Sequence, residues 1–321
     1  MENGFLQEHD LITRVAWKYY KEELTQQEIA DSLNISRFKV MDILDKAKKE
    51  GIIEVRINSP IFNCLSLEKK MKNKYNLSDI FIIPTPKDES NIIKMIGKAG
   101  GSYLGNIIKS GDKIGTAWGR TLDKVAKSFS PDQDNNYKNV EFIWLRGGLS
   151  AESTISLNYY DAARTMADKV RADCYYIFAP ARVETKKTKE TFLGDEKVKT
   201  ALEKARSVNL ALVGIGEVTK GASLVQTGLI SEKEISSLAN RGAVGDILGR
   251  YFDINGDVIE TEINDLMIGL NLEELKSIDK VIGFAGGKNK VESLYGALQG
   301  QYIDVLITDE TTAKKLINKK A

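Results

Sequence analysis

Histidine is nearly missing from this chain: His9 is the only one among 321 residues. A general base elsewhere in the sequence would therefore have to be a carboxylate or another less usual group. Cysteine is scarce as well. Cys64 and Cys174 lie far apart and form no cluster with metal-ligand spacing, so both are read as small core residues, and no metal or other cofactor is expected. An excess of either charge sign is also lacking. The 46 Lys/Arg and 45 Asp/Glu give a net charge of +1, which excludes a general polybasic character and confines any nucleic-acid contact to a local patch. No apolar run approaches the length of a membrane span. The first ten residues, MENGFLQEHD, have neither the basic nor the apolar region of a signal peptide. A cytoplasmic protein is expected. No internal repeat or low-complexity tract is visible. The apolar fraction of 42% supports a sizeable core, and the length suggests two domains or a large domain with an appendage.

The first 58 residues read as helical. Thr25-Gln26-Gln27-Glu28 fits the capping box, in which Thr25 and Glu28 satisfy each other's free backbone N–H groups. A short helix follows, with Ile29, Ala30 and Leu33 available for burial. After a turn, Ser36 is a good N-cap. Val40, Ile43, Leu44 and Ala47 then recur at helical spacing, and Gly51 stands where a left-handed residue ends the helix. Residues 52–57, IIEVRI, read as a strand or wing. Upstream, Leu11, Ile12, Val15, Ala16 and Tyr19 make a third apolar stripe.

At 100° per residue, Phe38, Asp42, Asp45 and Lys49 face away from the buried stripe of the second capped helix. A solvated face of a small bundle is one reading. The other is a helix-turn-helix, which sets the N-terminal residues of its second helix against base edges. Phe38 beside Arg37 and Lys39 favours the groove-facing reading. Phe38 can touch a thymine methyl, Asp42 can accept from a cytosine amino group, and Arg37 can reach guanine or phosphate. Gln26, Ser36, Arg37, Phe38, Lys39 and Asp42 are the candidate DNA-binding residues. Against this, residues 1–58 hold nine Lys/Arg and eleven Asp/Glu, so the segment is not basic overall.

Asn58-Ser59-Pro60 breaks the pattern, because proline donates no ladder hydrogen bond, and a domain boundary is placed there: 1–58 and 59–321. Beyond it, seven short apolar runs alternate with helical stretches: 79–85, 112–118, 139–147, 174–181, 210–216, 280–287 and 304–310. Near-continuous runs of this kind are strands buried on both faces, and their alternation with helices implies a mostly parallel α/β sheet. Four runs end in glycine-rich turns, at 115–121, 147–150, 214–216 and 286–290. Ligands of open parallel sheets sit beyond the carboxyl ends of the strands, where glycine permits close approach and helix N-termini favour anions. One such turn alone is only a tight connection. Four at one edge, with Arg120, Arg146, Lys288 and Lys290 nearby, suit an anionic or polyhydroxylated small molecule. None matches a Walker A motif or a full dinucleotide fingerprint.

Three N-terminal blocks stand together: AWKYY at 16–20, LTQQEIA at 24–30 and SRFKV at 36–40. In order beyond them come GDKIGTAWGRTL, LRGGL, GIG, GAVGDILGRYFDINGDVI and GFAGGKNKVESLYGAL. Over essentially the whole chain this resembles the SorC family of bacterial sugar-responsive transcriptional regulators, the group that includes deoxyribonucleoside, sorbose and autoinducer-2 operon regulators. The chain departs from the family at Met41-Asp42, where members often carry Ser-Arg; this bears on base preference. The resemblance implies an N-terminal winged helix-turn-helix domain and a larger Rossmann-like effector domain similar to sugar-phosphate isomerases. It implies operator DNA, a sugar or sugar phosphate, and other copies of the chain as partners, in a dimer or tetramer. It sets the ligand against Thr116, Trp118, Gly119, Arg120 and Thr121, with Gly147, Gly148 and Leu149 lining the next turn. Asp246 would hold ligand hydroxyls, and Lys290, at the family's G-G-x-x-K lysine, would meet an anion. The bland readings are a helix-surface carboxylate for Asp246 and a solvated lysine for Lys290. At the strand end 146, a lysine could form a Schiff base with an aldehyde sugar; arginine cannot, so noncovalent binding is expected. The competing function is a sugar-phosphate isomerase or deaminase with a helical appendage, for which Asp161, Asp246 or Asp253 would have to act as base. A pure scaffold leaves the glycine-rich edge unexplained.

Overall fold

The computed structural model describes residues 2–54, 59, 61–132, 137–148 and 161–319. The chain divides into two compact units, Met1–Ser59 and Pro60–Ala321.

The first unit is built on three helices: α1 (Glu2–Tyr20), α2 (Gln26–Leu33) and α3 (Arg37–Lys49). The Thr25–Glu28 capping box starts α2, and Asn34, left-handed at φ 53°, ends it. Ser36 then accepts from the Lys39 N–H and starts α3. These caps satisfy N–H groups that a helix start leaves free. Ile12, Val15 and Ala16 of α1, Ile29 and Ala30 of α2, and Val40, Ile43, Leu44 and Ala47 of α3 form one buried cluster. Gly51, at φ 73°, follows α3 in the expected left-handed conformation. The wing does not begin at residue 52: Ile52 and Ile53 form a bend and Glu54 is irregular, not strand. Residues 55–57 of that expected strand lie outside the described residues.

The second unit opens with α4 (Phe62–Tyr75) and is organised by a seven-stranded sheet, every pairing of which is parallel. Its strands are β1 (Asp79–Ile83), β2 (Lys113–Thr116), β3 (Glu141–Trp144), β4 (Asp173–Tyr175), β5 (Leu210–Gly214), β9 (Lys280–Phe284) and β10 (Val305–Asp309). Each of the seven apolar runs supplies one. A smaller antiparallel sheet, not expected from the sequence, consists of β6 (Gly216–Glu217), β7 (Gly245–Ile247) and β8 (Arg250–Phe252).

Strand order in the large sheet is β1-β10-β9-β5-β2-β3-β4. From β2 the chain moves outward through β3 to β4. It then returns to β5, beside β2, and moves the other way through β9 to β10. The order therefore reverses between β2 and β5, and the crevice beyond their carboxyl ends is where such sheets hold ligands.

Two helices precede and follow β2: α5 (Ile92–Ile107) and α6 (Arg120–Ser128). Gly97, Gly101 and Gly105 repeat every four residues on one stripe of α5. A Cβ at these positions would stand 2.4 Å from Lys124 Cβ, 2.4 Å from the Ser128 carbonyl carbon and 2.3 Å from the Ser130 oxygen. The bare stripe lets the two backbones meet, and this fixes where the N-terminus of α6 points.

Candidate functional site

In the first unit the turn between α2 and α3 brings Arg37 to Gln26. The Arg37 Nε donates to Gln26 Oε1 at 3.4 Å. Phe38 is 79% exposed, and Lys39, Met41 and Asp42 are exposed beside it. An aromatic ring left this open cannot be explained by packing within the unit. The Ser36 hydroxyl is already engaged with the Lys39 N–H, so its first task is to start the helix.

In the second unit a cavity lies at the switch point. Trp118, Gly119, Arg120 and Thr121 reach it from the turn after β2, Gly214 and Glu217 from β5 and β6, Asp246 from β7, and Lys290 from the turn after β9. Arg146, two residues past β3, completes it. No side chain caps α6 at Gly119. The free N–H groups of that helix start are a receptive end for an anion. Arg120 Nε donates to Ser223 Oγ at 3.1 Å across the cavity.

Arg146 is only 4% exposed, and its guanidinium lies 3.7 Å from the centre of the Trp118 ring. Among the described residues, Arg146 Nε, Trp118 Nε1 and the buried Tyr251 hydroxyl have no hydrogen-bond partner. Leaving such donors unmade is costly, about 1–3 kcal/mol each. Burial brings the Arg146 pKa down to about 10, opposed chiefly by Asp246; the group stays charged at neutral pH. Burial raises the Asp246 carboxyl, opposed by Arg146, Lys290 and the Gly249 N–H. That N–H donates to Asp246 Oδ2 at 3.0 Å, tying the carboxylate to the β7–β8 hairpin turn. Burial lowers Lys290, against the pull of Glu217 and Asp246, while Arg120 lowers it further. The site thus holds charges that are desolvated and only loosely answered by one another.

Asp246 is therefore a buried strand residue, not a carboxylate on a helix surface. Gly216 opposes it directly across the ladder, and an added Cβ there would run into its carboxylate. Several other expectations change. Thr116 is fully buried within β2, its hydroxyl turned to the Ala117 carbonyl, and does not line the cavity. Gly147 and Gly148 also lie off it. Their N–H groups donate to the Ile268 and Ala179 carbonyls, and a Cβ on Gly147 would stand 2.5 Å from Ala179 O, so these glycines serve a loop crossing. Leu149 lies outside the described residues. Lys288 pairs with Glu89 on the surface, away from Lys290. Sequence reasoning missed Glu217, Ser223 and Ile93, which line the cavity from positions that no motif marks.

An exposed helix-turn-helix in one unit and an anion-receptive cavity at a sheet switch point in the other define a class, the ligand-responsive DNA-binding regulator. The comparisons narrow it. The model of the sugar-binding domain family matches residues 59–318. The chain is 32% identical over 314 residues to the deoxyribonucleoside regulator of Bacillus subtilis, covering 97% of this chain and 98% of that one. It is 30% identical over 311 residues to the erythritol catabolism regulatory protein EryD of Brucella abortus, covering 96% of each. Among solved structures, the full-length sorbitol operon regulator SorC of Klebsiella pneumoniae superposes with a TM-score of 0.74 at 26% identity, over 96% of this chain and 99% of that one. The chain belongs to the SorC-like family of transcriptional regulators with sugar-binding domains. No helix among the described residues is long and apolar enough to cross a membrane.

Proposed function

We propose that the chain works in the cytoplasm as a transcriptional regulator whose operator affinity is set by a phosphorylated sugar held noncovalently in the switch-point cavity. The buried, unpaired Arg146 guanidinium carries this reading. A desolvated cation without an acceptor is expensive to maintain unless a ligand meets it. The free N–H groups of α6, with Arg120 and Lys290, suit the phosphate; Asp246 suits sugar hydroxyls, as an acceptor. A thermal-shift screen of the full chain against sugar phosphates tests it. A ligand at 100 times its Kd should add about 2.7 kcal/mol of stability. No shift with any phosphorylated sugar would remove the effector from this cavity.

We assign the protein no reaction. His9 belongs to the first unit. Asp161 accepts from Trp144, Tyr176 and the Arg164 N–H, and Asp253 is held in its own turn by the Asn255 and Asp257 N–H groups. Both carboxylates are engaged in structure. Asp246 and Glu217 remain the groups an isomerase-like reaction would need, and following the bound ligand by NMR for conversion tests them.

The operator would be read by α3. Replacing Arg37 or Lys39 by alanine is expected to weaken operator binding, and each lost phosphate contact to reduce the slope of log K against log salt by about one unit. A gel-shift series on both variants with unchanged affinity and slope would remove the reading head from this helix.

One helix-turn-helix buries too little DNA surface for tight binding, so two heads on half-sites a helical turn or its multiples apart are needed. We infer a homo-oligomer, a dimer or tetramer. Light scattering at micromolar concentration is expected to give at least twice the mass of one chain; a single-chain mass with and without DNA would sink this.

A further inference from the structure

Five charged side chains line the cavity: Arg120, Arg146 and Lys290 against Glu217 and Asp246. They sum to a net charge of +1. Among the described residues, no two of the five approach within the 4.0 Å of an ion pair. Elsewhere close pairs are common, such as Lys319–Glu292 at 2.6 Å and Lys204–Glu141 at 2.7 Å. The cavity therefore keeps its cations and carboxylates unpaired with one another, and their count decides which ligand charge fits.

The two carboxylates are not equivalent. Asp246 is buried, is tied by one oxygen to the Gly249 N–H, and has the Arg146 charge near it. Glu217 is less buried, and its carboxylate has no hydrogen-bond partner among the described residues. Its charge is the strongest one opposing the loss of the Lys290 proton. Glu217 is therefore the less buried carboxylate of the cavity and the one no hydrogen bond ties down, so a phosphate approaching Lys290 meets its charge.

We propose that Glu217 makes this cavity select effectors carrying one phosphate over effectors carrying two. A phosphate monoester brings a charge of about −1.5 to −2 at neutral pH, which three cations can meet in the presence of two carboxylates. A second phosphate adds as much again and finds no further cation among the lining residues. Its repulsion from Glu217 acts in a part-buried site, where screening is weak. This inference rests on the reading of the cavity as the effector site.

Calorimetry on the full chain with matched probes tests it: glucose 6-phosphate against glucose 1,6-bisphosphate, ribose 5-phosphate against ribose 1,5-bisphosphate, and inorganic phosphate against pyrophosphate. In the wild type the singly phosphorylated member of a bound pair should bind more tightly. Glu217→Gln should shift the ratio of the two dissociation constants by about tenfold towards the doubly phosphorylated member. Glu217→Asp, which keeps the charge, should leave the ratio near that of the wild type. A Glu217→Gln protein that weakens both members equally would show Glu217 to be a structural or hydroxyl-binding residue and overturn the proposal. A wild type that prefers the doubly phosphorylated members would overturn it as well, leaving the effector site intact. A wild type that binds none of the probes would overturn the proposal together with the reading of the cavity.

Discussion

Replacing Lys290 by alanine is expected to weaken binding of a phosphorylated effector by about tenfold to a hundredfold, the loss of a charge-assisted hydrogen bond of roughly 1.5–3 kcal/mol. Lys290 lies at the start of the helix Val291–Gln299, where the helix dipole disfavours a cation. Burial disfavours its charge further. A lysine kept charged there gains from having an anion to meet. The pH profile follows from the same cause. The Lys290 pKa is lowered by burial, so its proton leaves at a lower pH than that of an exposed lysine. Anion affinity should fall as pH rises through that lowered pKa, and the alanine variant should keep only the part of the alkaline decline that Arg146, itself lowered to about 10, contributes. On the acid side the ligand protonates near its second pKa, about 6, and affinity falls again in both proteins. Operator affinity without effector should be unchanged, because Lys290 belongs to the second unit and the reading helix to the first. Calorimetry across pH and a gel shift without ligand check both halves. Equal affinity in variant and wild type would take Lys290 out of the site.

Seven strands were legible as apolar runs: β5, β9 and β10 are buried along nearly their whole length, while the edge strands β1 and β4 keep exposed or half-buried positions and were marked by β-branched and aromatic composition. The caps of α2 and α3 were legible because capping is local chemistry, settled within four residues. What was not legible depended on distant partners. The glycine stripe of α5 has meaning only against α6, whose backbone it admits. The antiparallel strands β6 to β8 have two or three residues each, too few to show a period of two. Asp246 could therefore be marked as a site residue but not placed on a strand. Of the motif after β2, Thr116 is the last residue of the strand itself and packs into the sheet, while Trp118 to Thr121 line the cavity. Gly147 and Gly148 were expected to line the next turn; Gly147 instead lies against the Ala179 and Pro180 backbone, where a Cβ has no room. Glu217 and Ser223 are single polar residues in a stretch without pattern, and only the folding of β6 beside β7 brings Glu217 to Lys290's cavity.

The effector and the operator are expected to change each other's affinity by the same factor. If binding in the cavity alters the operator dissociation constant, thermodynamic linkage requires the operator to alter the effector dissociation constant equally. A factor of about 5 to 150 is typical of such coupling, 1–3 kcal/mol. Its sign depends on which state of the protein the effector binds better, and either sign supports a regulator. The measurement is calorimetric titration of effector with and without operator DNA, beside a gel shift of operator with and without effector. The same effector is then incubated with the protein and followed by NMR for conversion. Asp246→Ala belongs in the series. Its carboxylate lines the cavity, so the variant should lose effector affinity and with it the response of operator binding, while binding operator alone as the wild type does. That pairing distinguishes the two functions that a cavity at the switch point of a parallel sheet permits. Coupling of equal size in both directions, with the effector recovered unchanged, is the behaviour of a regulator. Conversion of the ligand with no coupling to DNA would make Asp246 and Glu217 candidates for proton transfer and the helix-turn-helix an appendage to an enzyme.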